Sequence, residues 1–357
     1  MKKLMKKLVC GMVIAGMVFS MTACGAKETS EDVTNEEVTN EEVTNEDVAN
    51  EEVANENEDT YKVGIIQYIS HPSLDNCYEG IVAALEESEL ADRLEIERQI
   101  GSDNAADADC ANFAASMVSK EVDVIFAIAT PAASAAYAAT EGTDIPVIFC
   151  AVSDPVAVEL VESLENPGDL CTGTSDILDL NAQVDLIQAF LPEVSTIGVL
   201  YTTSEANSIS QLALLKEIAS ERGLTINAVG IQNDADIPAA ASTVAAESDC
   251  LINFTDNKVV NNLSVVLEAT NSEGIPVFGS EIEQVKNGCV ASVSMDYVAL
   301  GKITGQMGIE ALQGADVTTM AVRTMSDGTP VMNKEVLESL QIEIPQAYAD
   351  AEVVESN

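Results

Sequence analysis

The chain has 357 residues, with 60 acidic side chains against 16 basic ones and a formal net charge of −44. A phosphate backbone must be met by Lys and Arg, so this balance excludes nucleic acid as a partner and opposes electrostatic docking on anionic lipid. The residues from 61 onward are numerous enough for two hydrophobic cores rather than one.

The first 23 residues carry Lys2, Lys3, Lys6 and Lys7 and no acid, followed by an apolar run from Leu8 to Phe19. Charge and length predict a signal peptide, and the run is short for a membrane span. It ends Ser20-Met21-Thr22-Ala23-Cys24-Gly25. A small residue, then Cys, then Gly resembles a bacterial lipobox, with Met21 in place of the usual Leu. Cys24 is therefore the expected lipidation site. Each buried acyl methylene contributes roughly 0.8 kcal/mol, so two or three chains anchor firmly. An ordinary cleaved signal is the alternative. Residues 24–60 contain a five-residue repeat, Asn-Glu-Glu-Val-Thr and its variants. One apolar residue in five cannot build a core, so an acidic, extended tether is expected. It would span roughly 30–35 Å, and more with self-repulsion.

The body is a duplication. Val63-Gly64-Ile65-Ile66-Gln67-Tyr68 is echoed by Ile197-Gly198-Val199-Leu200-Tyr201. Glu121 to Phe126 is echoed by Glu247 to Ile252, and Asp144 to Phe149 by Gly274 to Phe278, at offsets of 134, 126 and 130 residues. Short apolar runs bounded by turn residues read as buried parallel strands. In lobe one, strands are predicted at 63–68, 94–100, 122–129, 147–150 and 170–174. Helices are expected from Ser73, over 104–120, from Thr130-Pro131, and from Pro155 to Leu164. A first crossing falls at Ser175-Asp176. Lobe two repeats the scheme, with strands at 196–201, 225–229, 251–254, 277–279 and 290–295. A helix covers 181–190, and a second, capped by Ser204, closes before Gly223. The helix at 298–313 crosses back, and 320–331 crosses a third time. The expected partition is 61–175 with 296–325 for lobe one, and 176–295 with 326–350 for lobe two.

Six cysteines lie in the body: Cys77, Cys110, Cys150, Cys171, Cys250 and Cys289. They could form three disulfides outside the cytoplasm. Cys150 and Cys250 fall in or at the end of core strands, which favours the reading of all six as small buried apolar residues.

A ligand is expected between the lobes, at the carboxyl ends of the strands. The exit loops there hold Tyr68, Ser70, His71, Thr130, Ser134, Ser153, Asp154, Ser204, Asn207, Asp256, Asn257, Glu281, Asp296 and Tyr297. Helix caps account for part of this set, though less well for Asp256, Glu281 and Asp296. No catalytic motif is present: there is one His, no Gly-x-Ser-x-Gly elbow and no phosphate-binding glycine loop. No catalysis, metal or cofactor is expected. The body's four arginines, Arg93, Arg98, Arg222 and Arg323, all avoid the exit loops. An anionic group must then use backbone N–H groups and hydroxyls, such as those at Thr130–Ser134, Ser153 and Ser204. A cationic group finds Asp154, Asp256, Glu281 or Asp296. A zwitterion fits both, and Tyr68, Tyr201, Phe254 and Tyr297 could pack on its side chain. The expected pairing is carboxylate on Thr130 and Ser153, and ammonium on Asp256 with Glu281 or Asp296. The absence of Trp weakens a sugar reading.

Several stretches together resemble one family. They are Val63 to Asp75, Ala127-Ile128-Ala129-Thr130-Pro131-Ala132-Ala133, Ala151-Val152-Ser153-Asp154-Pro155 and Gly173-Thr174-Ser175-Asp176. Ser204-Glu205-Ala206-Asn207-Ser208, Thr255-Asp256-Asn257 and Asp296-Tyr297 complete them. The body is similar to the solute-binding lipoproteins of ABC transporters, and more closely to the tryptophan/tyrosine transport substrate-binding group. The resemblance implies an α/β fold of two Rossmann-like lobes with parallel sheets and a three-stranded hinge, the type I periplasmic binding protein. It implies a monomer, anchored outside the cytoplasm, that delivers an amino acid, aromatic by preference, to permease subunits in the membrane. A nucleoside, a sugar, another small metabolite, or a sensory role with a signalling partner are the alternatives.

Overall fold

The structure is a computed structural model that describes residues 60–103, 106–325 and 328–357. The signal peptide, Cys24 and the acidic repeat lie outside the described residues. No described helix is long and apolar enough to cross a membrane.

The chain opens with β1 (Tyr61–Gln67), α1 (Pro72–Glu86), β2 (Leu94–Ile100), α2 (Ala106–Ser119), β3 (Val124–Ile128), α3 (Thr130–Thr140), β4 (Val147–Cys150) and β5 (Cys171–Ser175). It continues with α4 (Leu180–Phe190), β6 (Thr196–Thr202), α5 (Ala206–Arg222), β7 (Thr225–Ile231), α6 (Ile237–Ala246), β8 (Cys250–Ile252), α7 (Asn257–Asn261), α8 (Leu263–Glu273), β9 (Val277–Phe278), α9 (Ile282–Lys286) and β10 (Ala291–Ser294). It closes with α10 (Tyr297–Leu312), β11 (Arg323–Thr324), β12 (Thr329–Asn333), α11 (Lys334–Leu340) and β13 (Glu352–Val354).

The duplication is real at the level of topology. One sheet runs β11-β5-β4-β3-β1-β2, all parallel, and another runs β7-β6-β8-β9, also parallel. In each, the first strand of the lobe pairs with the second on one side and the third on the other. β10 continues the second sheet through Val290 N–H to the Val277 carbonyl and Gly279 N–H to the Ala291 carbonyl. β10 also pairs antiparallel with β12, which pairs parallel with β13. The chain therefore passes between the sheets three times, after β5, after β10 and after β11. This is the two-lobed α/β fold that the echoes implied.

Central strands are buried on both faces, and their sequences show it. Every residue of β3, Val-Ile-Phe-Ala-Ile, is buried. In lobe two the pleat splits the apolar residues by period two. Ile197, Val199 and Ile252 join one layer, and Leu200 and Leu251 join the other. The six body cysteines are buried and form no disulfide among the described residues.

The crossing of α1 and α10 sets the mouth of the cleft. A Cβ on Gly80 would collide with the Val298 carbonyl, and one on Gly301 with the Cys77 carbonyl. The two backbones touch because neither helix carries a side chain there. That approach puts the N-terminus of α1, with Ser73 and Leu74, beside the N-terminus of α10, with Tyr297.

Three local expectations are corrected. Ser73 does not cap α1: Pro72 takes the first helical position, where its missing N–H costs nothing, and His71 becomes the N-cap. Ser204 does not cap α5, because Glu205 is the N-cap and makes no side-chain capping bond. No helix runs from Pro155 to Leu164. Glu159 adopts φ 58°, which ends the turn, and Glu162 N–H bonds instead to the Pro167 carbonyl.

Candidate ligand-binding cleft

A narrow cleft, with about 350 Å³ of empty space when the part open to solvent is included, lies where the carboxyl ends of the two parallel sheets face each other. Lobe one and the first crossing contribute His71, Ser73, Leu74, Ala129, Thr130, Ala151, Ser153 and Asp176. Lobe two contributes Asn207, Thr255, Asn257, Val260, Glu281 and Gln284, and α10 contributes Tyr297.

The lobes touch across it. His71 Nε2 lies 3.3 Å from Asn257 Oδ1. Ser153 Oγ lies 3.3 Å from Thr255 Oγ1, and Gln211 Nε2 donates to both, at 3.1 and 2.7 Å. Outside the cavity, Ser210 donates to Asp154 at 2.7 Å, and Lys258 Nζ donates to Tyr68 Oη at 3.2 Å.

The acidic end is built around Asp176, which is 2 % exposed. Its oxygens accept from Ser153 at 3.0 Å and Tyr297 at 2.9 Å. Burial raises its pKa, and those two hydroxyls work against the rise. Glu281 caps α9 by accepting from Glu283 and Gln284 N–H at 2.7 and 2.8 Å. Burial pushes it up to about 7, and the Ser73 hydroxyl is near enough to favour its charged form. Among the described residues, no Lys or Arg lines the cavity. Thr130 opens α3, whose first N–H groups have no intrahelical acceptor.

The backbone is strained at this edge. Ala129 has φ 80° and ψ 154°, a region essentially reserved for glycine, and Ala151 has φ 56°. Each such residue costs of order 1–3 kcal/mol, and such outliers cluster at ligand clamps. Two cavity-lining side chains also hold buried polar atoms without a partner among the described residues: His71 Nδ1 and Asn207 Oδ1. Buried polar groups are normally satisfied, so these two atoms are the candidates for contact with a bound molecule.

Half of the sequence-derived set lines the cavity: His71, Thr130, Ser153, Asn207, Asn257, Glu281 and Tyr297. The other half lies elsewhere. Asp256 is fully buried, and its oxygens accept from Thr202 N–H and Oγ1, Ser208 Oγ and Val259 N–H at 2.6–3.0 Å, so it is consumed in capping α7 and tying it to β6. Asp296 is exposed and caps α10. Asp154 bridges the lobes outside the cavity, and Ser70 bonds Asp75 at 3.0 Å. Ser134 and Ser204 are exposed. Tyr68 meets Lys258, while Phe254 is core and Tyr201 packs against the lobe-two core, so Tyr297 is the one aromatic of the four that lines the cavity.

Asp176 is the residue that sequence reasoning placed in a crossing and not in the site. Its signal was present: an acid directly after a fully buried strand, followed by Ile177, has no helix to cap. Glu205 is a second buried acid, pushed up to about 8 by burial and then by the charge of Asp256. It accepts from Asn257 N–H and Nδ2 at 3.0 and 2.7 Å, so it orients a lining residue without reaching the cavity.

This fold and cleft define a two-lobed binding protein of the type I periplasmic class. The family profile described as "ABC transporter substrate binding protein" matches residues 62–352. A tyrosine-binding protein of Clostridioides difficile is 35% identical over 283 residues, 79% of this chain and 81% of that one. The crystal structure of an ABC domain from Streptococcus pneumoniae in complex with L-Trp superposes with a TM-score of 0.79 at 33% identity, covering 83% of this chain and all of that one. A ligand-free, open substrate-binding protein with adhesive properties from Clostridium difficile gives 0.64 at 35% identity, covering 84% of this chain and all of that one. The chain belongs to the ABC transporter substrate-binding protein family. At similar identity its shape is nearer the complex than the open form, in keeping with the contacts across its cleft.

Proposed function

We propose that this protein captures an aromatic amino acid outside the cytoplasm and hands it to the permease subunits of an ABC importer. The observation that carries this reading is the cavity's polarity: buried Asp176 and Glu281 in one lining, no cation, and the unfilled N–H groups at the start of α3. That arrangement suits a zwitterion, with ammonium on the carboxylates and carboxylate on Thr130 and the first N–H groups of α3; Ser153, whose one proton goes to Asp176, is not free to donate to it. Leu74, Ala129, Ala151 and Val260 supply apolar wall for a ring. The names of the tyrosine-binding relative and the L-Trp complex support the aromatic choice. Asp176 replaces Asp256 as ammonium partner in this reading, because Asp256 has no free lone pair facing the ligand. The protein acts as a monomer without turnover, tethered through a lipid on Cys24.

Thermal unfolding with each of the twenty amino acids near 1 mM tests the reading. A ligand present at 100 times its dissociation constant stabilises by roughly 2.7 kcal/mol. A shift confined to aromatic amino acids supports it. A shift with aliphatic or acidic amino acids alone overturns it.

A further inference from the structure

The two unpartnered atoms in the cavity have a defined chemical sense. Asn257 gives its Nδ2 to Glu205 at 2.7 Å, so its Oδ1 is the atom that faces His71 Nε2 at 3.3 Å. An amide oxygen only accepts, so Nε2 carries the ring proton. Burial holds the His71 pKa down at about 4, so the ring is neutral. Nδ1 is then a bare lone pair, with no partner among the described residues. Asn207 repeats the pattern. Its Nδ2 donates to the Thr255 carbonyl at 2.9 Å and towards Glu205 at 3.4 Å, which leaves Oδ1 as an unpartnered acceptor. His71 is 7 % exposed and Asn207 3 %, and both line the cavity.

We propose that His71 Nδ1 and Asn207 Oδ1 are a specificity-determining acceptor pair that reads a neutral hydrogen-bond donor on the ligand's ring, the tyrosine hydroxyl or the tryptophan indole N–H. Phenylalanine, which has no such donor, is rejected. The inference rests on the aromatic reading above and narrows it. The ligand's ammonium is not what these atoms await, because a cation is held better by the two carboxylates, Asp176 and Glu281, than by neutral acceptors. A bare ring against the pair would leave both acceptors buried and unmet, the circumstance in which a polar site discriminates most strongly.

The test is calorimetric titration of the purified full chain with L-tyrosine, L-tryptophan, L-phenylalanine and 3-(benzothiophen-3-yl)alanine, which has the shape of tryptophan without its N–H. The better of tyrosine and tryptophan should bind roughly a hundredfold or more tighter than phenylalanine. If tryptophan binds, the benzothiophene analogue should lose a comparable factor against it. His71→Phe and Asn207→Leu should each narrow the preference over phenylalanine to within about tenfold. The ligand comparison on the unaltered protein stands even if either variant fails to fold. Phenylalanine binding within tenfold of tyrosine and tryptophan would overturn the acceptor pair and leave the aromatic reading in place. An equal loss for all ligands in both variants would also overturn it. No binding of any aromatic ligand to the unaltered protein would overturn the aromatic reading, and this inference with it.

Discussion

Tyr297 donates its hydroxyl to Asp176 at 2.9 Å, and the two residues sit on different passages of the chain between the lobes. Asp176 follows β5 at the first crossing, and Tyr297 opens α10 at the second. The bond holds one carboxylate oxygen while Ser153 holds the other, so the charge is fixed in orientation before a ligand arrives. Binding then requires no reorganisation of the acid.

Asp176→Asn should therefore lower ligand affinity by roughly a hundredfold, the loss expected when one partner of a buried charge pair is removed. The fold should survive, since the amide can keep one hydroxyl contact. Asp256→Asn should behave in the opposite way. It breaks a capping carboxylate with four donors, so unfolding temperature drops by several degrees while the residual affinity of the folded fraction changes little. Calorimetric titration and thermal unfolding on both variants separate the roles. An affinity loss confined to Asp256→Asn would reassign the ammonium to Asp256.

Affinity should fall as pH falls from 8 to 6. Glu281 is held at about 7 by burial when the cavity is unoccupied, and an ammonium must find it charged. Binding below pH 7 thus releases a proton, and the affinity drops by up to about tenfold per pH unit. Stability of the ligand-free protein runs the other way. A carboxyl whose folded pKa is raised stabilises below its unfolded value, and that contribution is lost as pH rises through about 7 for Glu281 and about 8 for Glu205. His71, depressed to about 4, adds stability that is fully present above about 6.5 and is lost below it. Between pH 6.5 and 8 the acids dominate, so the ligand-free unfolding temperature should decline while the ligand-induced shift grows. Glu281→Gln should flatten the ligand-induced trend and only lessen the ligand-free decline, the remainder of which belongs to Glu205. Parallel rise of both curves would remove Glu281 from the site.

Gly301→Val should unfold the protein or cost several kcal/mol, because the added side chain meets the Cys77 carbonyl and not a flexible side-chain end. Gly223→Ala is the contrast, where nothing stands within 4 Å but φ is 70°. Its cost should stay near 1 kcal/mol, all of it backbone strain. Chemical denaturation of both variants checks the ordering. A milder effect at Gly301 would mean that α1 and α10 can part without loss.

The fold was legible because each buried strand announces itself as an apolar run and the runs repeat in order. The site was half legible, for a physical reason. A Ser, Thr, Asn or Asp after a strand serves equally as a helix cap or a ligand contact, and sequence does not separate the two. Asp256, Asp296 and Glu281 all cap helices, yet Glu281 alone also lines the cavity. Asp176 caps nothing, and that negative property was the available clue. The acceptor sense of His71 depends on Asn257 and Glu205, 186 and 134 positions away, and no local pattern could carry it.

The contact between Lys258 and Tyr68 predicts how closure is tuned. Lys258 Nζ lies 3.2 Å from the phenol oxygen and 5.8 Å from the ring centroid, and neither residue lines the cavity. A contact between the lobes that lies outside the cavity is expected to favour the closed form. Lys258→Met keeps the side-chain length and the backbone N–H that bonds Glu205, and it removes only the cross-lobe charge contact. Apparent affinity is the intrinsic affinity scaled by the competent fraction, so a modest shift towards the open form should weaken binding by about threefold to tenfold. Small-angle scattering should show the ligand-free variant more expanded than the unaltered protein, with the two superimposable at saturating ligand. An affinity loss with unchanged scattering in the ligand-free state would place Lys258 in direct contact with the ligand and remove it from the closure equilibrium.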